Sequence, residues 1–340
     1  MNSIRAIAAN SNQIESAFQF EDIPLPIAGN NELLIKVEAV SVNPVDTKIR
    51  RSLPPETSRI LGWDATGIVV DKGNDVNGFN KGDRVYYAGS LNSSGSNAEY
   101  QTVDARLASH MPKCLNPAEA AAMPLTSITA WEALFDRLNI DPEEKGNLLI
   151  IGGAGGVGSI ATQIAKQFTQ LTVITTASRH ESIQYSYELG ADFVINWQSL
   201  TADIKQLQME SKLADVDYIL NCNDIDQHWA NITEIIKPQG HICSIVENAA
   251  PLDMGELKRK SATLSWEFMF TRSMYKTPDM QKQGETLSAI AKAIDKGLIK
   301  STATQILNGF TPENFVQAHR LLESGRALGK CVIEFTNTNS

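Results

Sequence analysis

Gly152-Gly153-Ala154-Gly155-Gly156-Val157-Gly158 follows the apolar run Asn147-Leu148-Leu149-Ile150-Ile151 and opens the amphipathic stretch VGSIATQIAKQF at 157–168. A short apolar run that stops at glycine reads as a buried strand, and the stretch after it reads as a helix. Set between a strand and a helix, Gly153-x-Gly155-x-x-Gly158 has the spacing of a dinucleotide-binding turn. One glycine permits the tight turn, and the next lets the backbone approach a pyrophosphate with no Cβ in the way. The third allows the helix to pack close to the strand. N–H groups at the start of the helix then face the anion. Gly153, Ala154, Gly155, Gly156, Val157 and Gly158 are therefore assigned to the cofactor.

The stretch around this turn alternates. LTVITTA (171–177) reads as a strand, ESIQYSYELG (181–190) as a helix, and DFVINW (192–197) as a strand. A helix near 200–212, the strand VDYILNC (216–222), a helix near 226–236 and the strand HICSIV (241–246) follow. Alternation of this length specifies an α/β domain with a doubly wound parallel sheet, placed here at 125–271. The flanking segments, 1–124 and 272–340, form a second domain. LLIKVEAV (33–40), TGIVVDKG (66–73), DRVYYAG (83–89) and NAEYQTV (97–103) are short strand-like runs separated by turn residues. PAEAAAMPLTSITAWEALFDRL (117–138) is helical and crosses into the nucleotide domain. Helices at 279–297 and 312–325 precede a last strand, GKCVIEF (329–335), which is expected to return to the first sheet. TNTNS at 336–340 reads as a frayed end.

A dinucleotide site built for NAD places an acid at the end of the second strand, about 20 residues after the first glycine, to hold the ribose 2′-hydroxyl. Val173-Ile174-Thr175-Thr176-Ala177-Ser178-Arg179 contains no acid. Ser178 and Arg179 offer a hydroxyl and a guanidinium, which suit a 2′-phosphate. NADPH is the expected cofactor. Cys222 and Asn223 follow the fourth strand, and Ser244, Ile245 and Val246 end the fifth. These are strand ends where ligands meet doubly wound sheets.

The chain has 340 residues, 20% of them charged, and a net charge of −9. A field of that sign opposes binding to nucleic-acid phosphates or anionic lipid. Cys114, Cys222, Cys243 and Cys331 form no C-x-x-C clip, and they read as reduced thiols. No apolar run approaches a membrane span, and MNSIRAIAANS lacks the apolar centre of a secretory signal. The expected location is the cytoplasm.

SVNPVDTKIR (41–50), LGWDATGIV (61–69), GDRVYY (82–87), PLTSITAWEAL (124–134), the glycine turn and GKCVIEF together resemble the medium-chain dehydrogenase/reductase superfamily over nearly the whole chain. The resemblance implies a Rossmann domain plus a smaller GroES-like β-barrel catalytic domain. Zinc members of that superfamily carry a cysteine in the first segment, a His–Glu pair in the second and a cluster of four cysteines. Here Asn43, Trp63 and Asp64 stand at those positions and no cysteine cluster exists, so a tetrahedral zinc site is not expected. The pattern is similar to the zinc-free quinone oxidoreductase branch. The segment at 257–284 resembles a bacterial subgroup labelled zinc-type alcohol dehydrogenase-like.

Without a Lewis acid, reduction of a quinone or enone is easier than oxidation of an alcohol, because the conjugated acceptor delocalises the incoming charge. The resemblance places Asn43 and Asp46 at the nicotinamide end of the site. Asn43, Asp46 and Lys48 are the catalytic candidates: Asn43 is a hydrogen-bond donor to an acceptor oxygen or a turn residue before Pro44, and Asp46 organises the loop rather than transferring a proton. Lys48 is a donor to an oxyanion or a solvated lysine; many quinone reductases have tyrosine there. Thr126 matches a nicotinamide contact or is a helix hydroxyl bonded to backbone. Phe268, Met269 and Phe270 wall the nicotinamide or belong to the core, and Lys330 reaches the cofactor or the solvent. The leading activity is NADPH-dependent, zinc-free reduction of a quinone or conjugated carbonyl compound. Enoyl or alkenal double-bond reduction and a non-catalytic NADPH sensor are the alternatives. The resemblance also implies a homodimer. HICSIVENAA (241–250) reads either as the joining edge or as a buried strand.

Overall fold

Asn147–Ile151 is buried along its whole length, as a strand covered on both faces requires. It lies inside a six-stranded sheet in the computed structural model, which describes residues 3–335; the tail at 336–340 lies outside them. The chain divides into two compact units, Met1–Ile128 with Phe270–Ser340, and Thr129–Met269.

In the unit Thr129–Met269 the strand order across the sheet is Phe193–Ile195, Thr172–Thr176, Asn147–Ile151, Val216–Asn221, Ile236–Ser244 and Thr263–Trp266. All five pairings are parallel. The order reverses between Thr172–Thr176 and Val216–Asn221, on either side of the first strand, which is the doubly wound arrangement. Helices Gly156–Phe168, His180–Glu188, Leu200–Met209 and Ile225–Ile235 connect the strands. Leu149, Ile151, Ile174, Ile219, Ile232 and Ile242 belong to one buried cluster in this unit.

The outermost strand, Thr263–Trp266, was not expected from sequence. Thr263-Leu264-Ser265-Trp266 alternates polar and apolar residues, but over only four positions. Its presence settles the position of Ile236–Ser244, which pairs on both sides. Residues 241–244 are therefore inside the sheet and not its edge, and residues 245–250 lie outside the strand.

The other unit has a seven-stranded sheet running Ala303–Asn308, Lys330–Glu334, Glu32–Val42, Ala65–Lys72, Arg84–Tyr87 and Ala108–His110, with Tyr100–Asp104 also on Glu32–Val42. A smaller sheet joins Phe18–Pro24, Ser3–Ala9 and Arg59–Ile60. The closing strand returns as expected, antiparallel to the long one, with Cys331 opposite Val42 and Ile333 opposite Val40. This unit is the longer of the two. Helices Lys282–Asp295 and Pro312–Glu323 and the strands beside them fold back onto it.

The helical region at 117–138 breaks at Pro124, whose ring excludes a continuous helix. It forms Pro117–Ala121, Pro124–Trp131 and then one wide π turn, Glu132–Arg137. Among the described residues no helix is long and apolar enough to cross a membrane.

His319, on helix Pro312–Glu323, is fully buried and lies edge-on to Phe18 with ring centroids 4.7 Å apart. Neither ring nitrogen has a hydrogen-bond partner. Burial, and then the nearby Arg50 charge, push its pKa down from 6.5 to about 3. An unfolded chain takes up a proton below pH 6.5 that the folded ring refuses, so stability falls as pH is lowered through that window. His319→Leu should melt above the native protein at pH 5 and show a shallower acid limb. Identical pH slopes for the two proteins would remove His319 from the account.

Candidate functional site

The glycine turn has the close contacts its spacing demands. A Cβ on Gly158 would stand 2.2 Å from the Gly152 carbonyl oxygen, and one on Gly153 would stand 2.4 Å from the Thr175 Cβ. Around Gly155 the nearest atom is the Gly152 oxygen at 3.4 Å, which leaves the middle of the turn open. Gly155 is the N-cap of helix Gly156–Phe168 and supplies no side chain to cap it. The first-turn N–H groups therefore have no side-chain acceptor and can face an anion. Ala154 is buried, and Gly156 and Val157 are half-buried in the same turn. Thr176 anchors it, its hydroxyl accepting from Gly152 N at 2.9 Å.

Beyond the second strand, Ser178 is exposed and Arg179 half-buried. The Arg179 guanidinium lies 3.5 Å from Glu181. At the fourth strand Asn221 carries the arrangement. Its amide donates to the Asn223 carbonyl at 2.7 Å and to the Ser244 hydroxyl at 3.1 Å. Its own Oδ1 is buried without a partner. The Ser244 hydroxyl donates in turn to the Val246 carbonyl at 2.9 Å, and Ile245 N donates to the Asn221 carbonyl at 3.1 Å. Cys222 is half-buried, and burial pushes its thiol pKa up. Asn223 is exposed. The turn that a Cβ would fill and the orphaned Asn221 acceptor fit a dinucleotide at these strand ends. Sequence reading missed Asn221 and Thr176; a polar residue closing an apolar strand was the available signal.

Two buried acids were also missed. Glu132, in the π turn, and Glu267, just after Thr263–Trp266, are both nearly solvent-free, and Arg137 lies between them. Its Nε is 2.8 Å from Glu267 and its guanidinium 4.0 Å from Glu132. One cation faces two carboxyls, so one proton is retained. Burial, then repulsion from Glu132, push the Glu267 pKa up to about 9. Phe268 beside it is exposed, whereas Met269 is buried.

In the other unit the predicted residues turn inward. Asn43 spends both amide hydrogens, on the Ser41 carbonyl at 3.2 Å and on Asp64 at 3.1 Å. Its oxygen accepts from Lys330. It therefore does not serve as a donor to an acceptor oxygen. Asp46 accepts from Asn43 N at 2.8 Å and Gly62 N at 2.9 Å, which is the organising role. Burial pushes the Asp46 pKa up to about 7. The Lys330 ammonium is buried on the Val42 carbonyl at 3.0 Å and on Asp64 at 3.3 Å, so it is not a solvated surface lysine. Burial lowers its pKa, and the Asp64 charge opposes that shift. The Thr126 hydroxyl bonds back to the Ala122 and Met123 carbonyls at 3.4 Å, as the helix reading has it. Phe270 is buried, edge-on to Trp63 at 6.4 Å. Lys48 is exposed on helix Pro44–Arg51.

Residues 29–113 match the family described as alcohol dehydrogenase GroES-like domain, and 189–333 match zinc-binding dehydrogenase. A zinc-type alcohol dehydrogenase-like protein of Staphylococcus aureus is 46% identical over 312 residues, covering 91% of this chain and 92% of that one. The chain belongs to the medium-chain dehydrogenase/reductase superfamily of NAD(P)-dependent oxidoreductases. Among solved structures in the superfamily, a putative zinc-dependent alcohol dehydrogenase of Rhizobium etli is 44% identical, with a TM-score of 0.94 and 99% of both chains covered. A quinone oxidoreductase of Coxiella burnetii is 27% identical, with a TM-score of 0.80, covering 98% of this chain and 100% of that one.

The superfamily's zinc does not fit the residues present. Asn43 and Asp64 give their oxygens to an ammonium and to N–H groups. Trp63 has no lone pair to offer: its Nε1–H donates to the Ser90 carbonyl at 3.0 Å, and Arg59 stacks on its ring. A tetrahedral nitrogen–sulfur set is not available at these positions.

The Glu267 proton has a measurable consequence. The folded carboxyl keeps it to about pH 9, while an unfolded one releases it near 4.5, so stability is lost as pH rises between the two. Glu267→Gln should melt several degrees above the native protein at pH 9 and show a flatter alkaline limb. A variant that melts lower at pH 9 would show that the carboxyl is ionised there.

Proposed function

We propose that this protein is an NADPH-dependent, zinc-independent reductase that delivers hydride to a quinone or another conjugated carbonyl acceptor. The closed donor set at Asn43, Trp63 and Asp64 carries the reading: with those groups committed internally, no Lewis acid is on hand to activate an alcohol. A conjugated acceptor needs none, since its own π system spreads the developing charge. The quinone oxidoreductase likeness supports the same class.

When bound, the reduced nicotinamide supplies the hydride. The chain's part is to bind and orient. The Gly153–Gly158 turn and the start of helix Gly156–Phe168 hold the pyrophosphate. Arg179, with Ser178 beside it, meets the 2′-phosphate and leaves Glu181 to do so. Asn221 Oδ1 accepts from a cofactor donor, and Cys222, Ser244, Ile245, Val246, Phe268 and Met269 shape the nicotinamide end. Lys48 keeps its candidacy as a donor to the acceptor oxygen. In this reading the working form is a cytoplasmic homodimer.

Chelator-treated protein should oxidise NADPH with a simple 1,4-quinone and should use NADH less well. Arg179→Ala should raise KM for NADPH by about tenfold or more, the loss of one charge-assisted contact. KM for NADH should change by less than about twofold, because that cofactor lacks the phosphate. Equal losses for the two cofactors would overturn the 2′-phosphate assignment, and turnover abolished by chelation would overturn zinc independence.

A further inference from the structure

Lys330 opens the closing strand Lys330–Glu334, yet its side chain is almost completely buried. The ammonium is surrounded by oxygen. It donates to the carbonyl of Val42, the last residue of Glu32–Val42, at 3.0 Å, and to the side-chain oxygen of Asn43. Asp64 Oδ2 stands 3.3 Å away, and its side chain is fully buried. The carboxylates are held by further donors of the chain. The other Asp64 oxygen accepts from Leu125 N at 3.1 Å, and Asp46 accepts from Asn43 N and Gly62 N. A carboxylate, a carboxamide oxygen and a peptide carbonyl around one buried point form a cation-binding set, and the chain supplies the cation from one of its own side chains. Two of the contributing residues, Asn43 and Asp64, stand where the superfamily's zinc members carry ligands.

We propose that Lys330 is a tethered cation which takes the position a metal would hold in this unit and closes the chain to zinc there. The ammonium is anchored through a strand that pairs with Glu32–Val42 and Ala303–Asn308, so a dissolved ion cannot displace it without opening that strand. The oxygens it gathers are a poor match for zinc, which favours nitrogen and sulfur in closed sites. This inference rests on the zinc independence proposed above. Turnover after chelation tests that reading, whereas the measurements below test the lysine.

Lys330→Ala removes the ammonium and leaves a cavity shaped for a propylammonium ion, so the lost side chain can be returned in solution. The variant should melt on the order of 10 °C below the native protein, as expected when one partner of a buried pair is removed. Propylammonium chloride should restore several degrees relative to sodium chloride at equal ionic strength, and should leave the native protein unchanged. An unaltered melting temperature overturns the proposal. So does a deficit that sodium chloride repairs equally well, or that neither salt repairs. If Lys330→Ala does not accumulate folded, Lys330→Met/Asp64→Asn, which removes cation and acid together, should fold where Lys330→Met alone does not; failure of the double variant overturns the proposal as well. Native protein dialysed against zinc should retain less than about one tenth of an equivalent, given an oxygen-only set already occupied. One zinc per chain that Asp64→Asn releases would overturn the assignment.

Discussion

A buried ammonium among buried carboxyls is the constraint on which the larger unit depends. Lys330 and Asn43 lie 287 residues apart in the chain, and their side chains meet inside it. The contact fixes how the closing strand registers on the long strand, how helix Pro44–Arg51 begins, and where the loop holding Asp64 stops. Burying one charge alone would cost several kcal/mol, so each member is required by the others. The cluster also decides the chemistry at its positions. Both amide hydrogens of Asn43 are committed, and its oxygen and both Asp64 oxygens already accept from donors of the chain itself.

The unit Thr129–Met269 solves a similar problem with less charge. Arg137 serves both Glu132 and Glu267, and the missing cation is replaced by a proton. The π turn makes the arrangement, because its wider winding carries Glu132 and Arg137 on one short segment next to the edge of the sheet. Both units thus hold polar groups under the surface, and in both burial is the main influence on their charge state, with neighbouring charges modifying it. Close backbone approach governs the nucleotide end of the second unit instead. There the absence of Cβ atoms at Gly153 and Gly158 lets the helix start, the first strand and the second strand meet at one turn.

Much of this was legible in sequence. Strand–helix alternation from Asn147 onward, with glycines at 153, 155 and 158, determined the parallel sheet and its phosphate turn, because those patterns follow from local periodicity and from steric limits at one backbone segment. The absence of an acid between Val173 and Arg179, and of cysteine and histidine at the metal positions, was equally plain. What only the tertiary structure decided was the fate of particular side chains. Thr263–Trp266 became the sheet edge although its alternation spans only four residues. Asn43 and Lys330, which from sequence could face a ligand, face each other. Asn221, Glu132 and Glu267 emerged as the polar groups at strand ends and beneath them. The division has one physical cause. Secondary structure is written in neighbours a few residues apart, whereas the partner of a buried charge is chosen by packing between segments that the chain order keeps far apart.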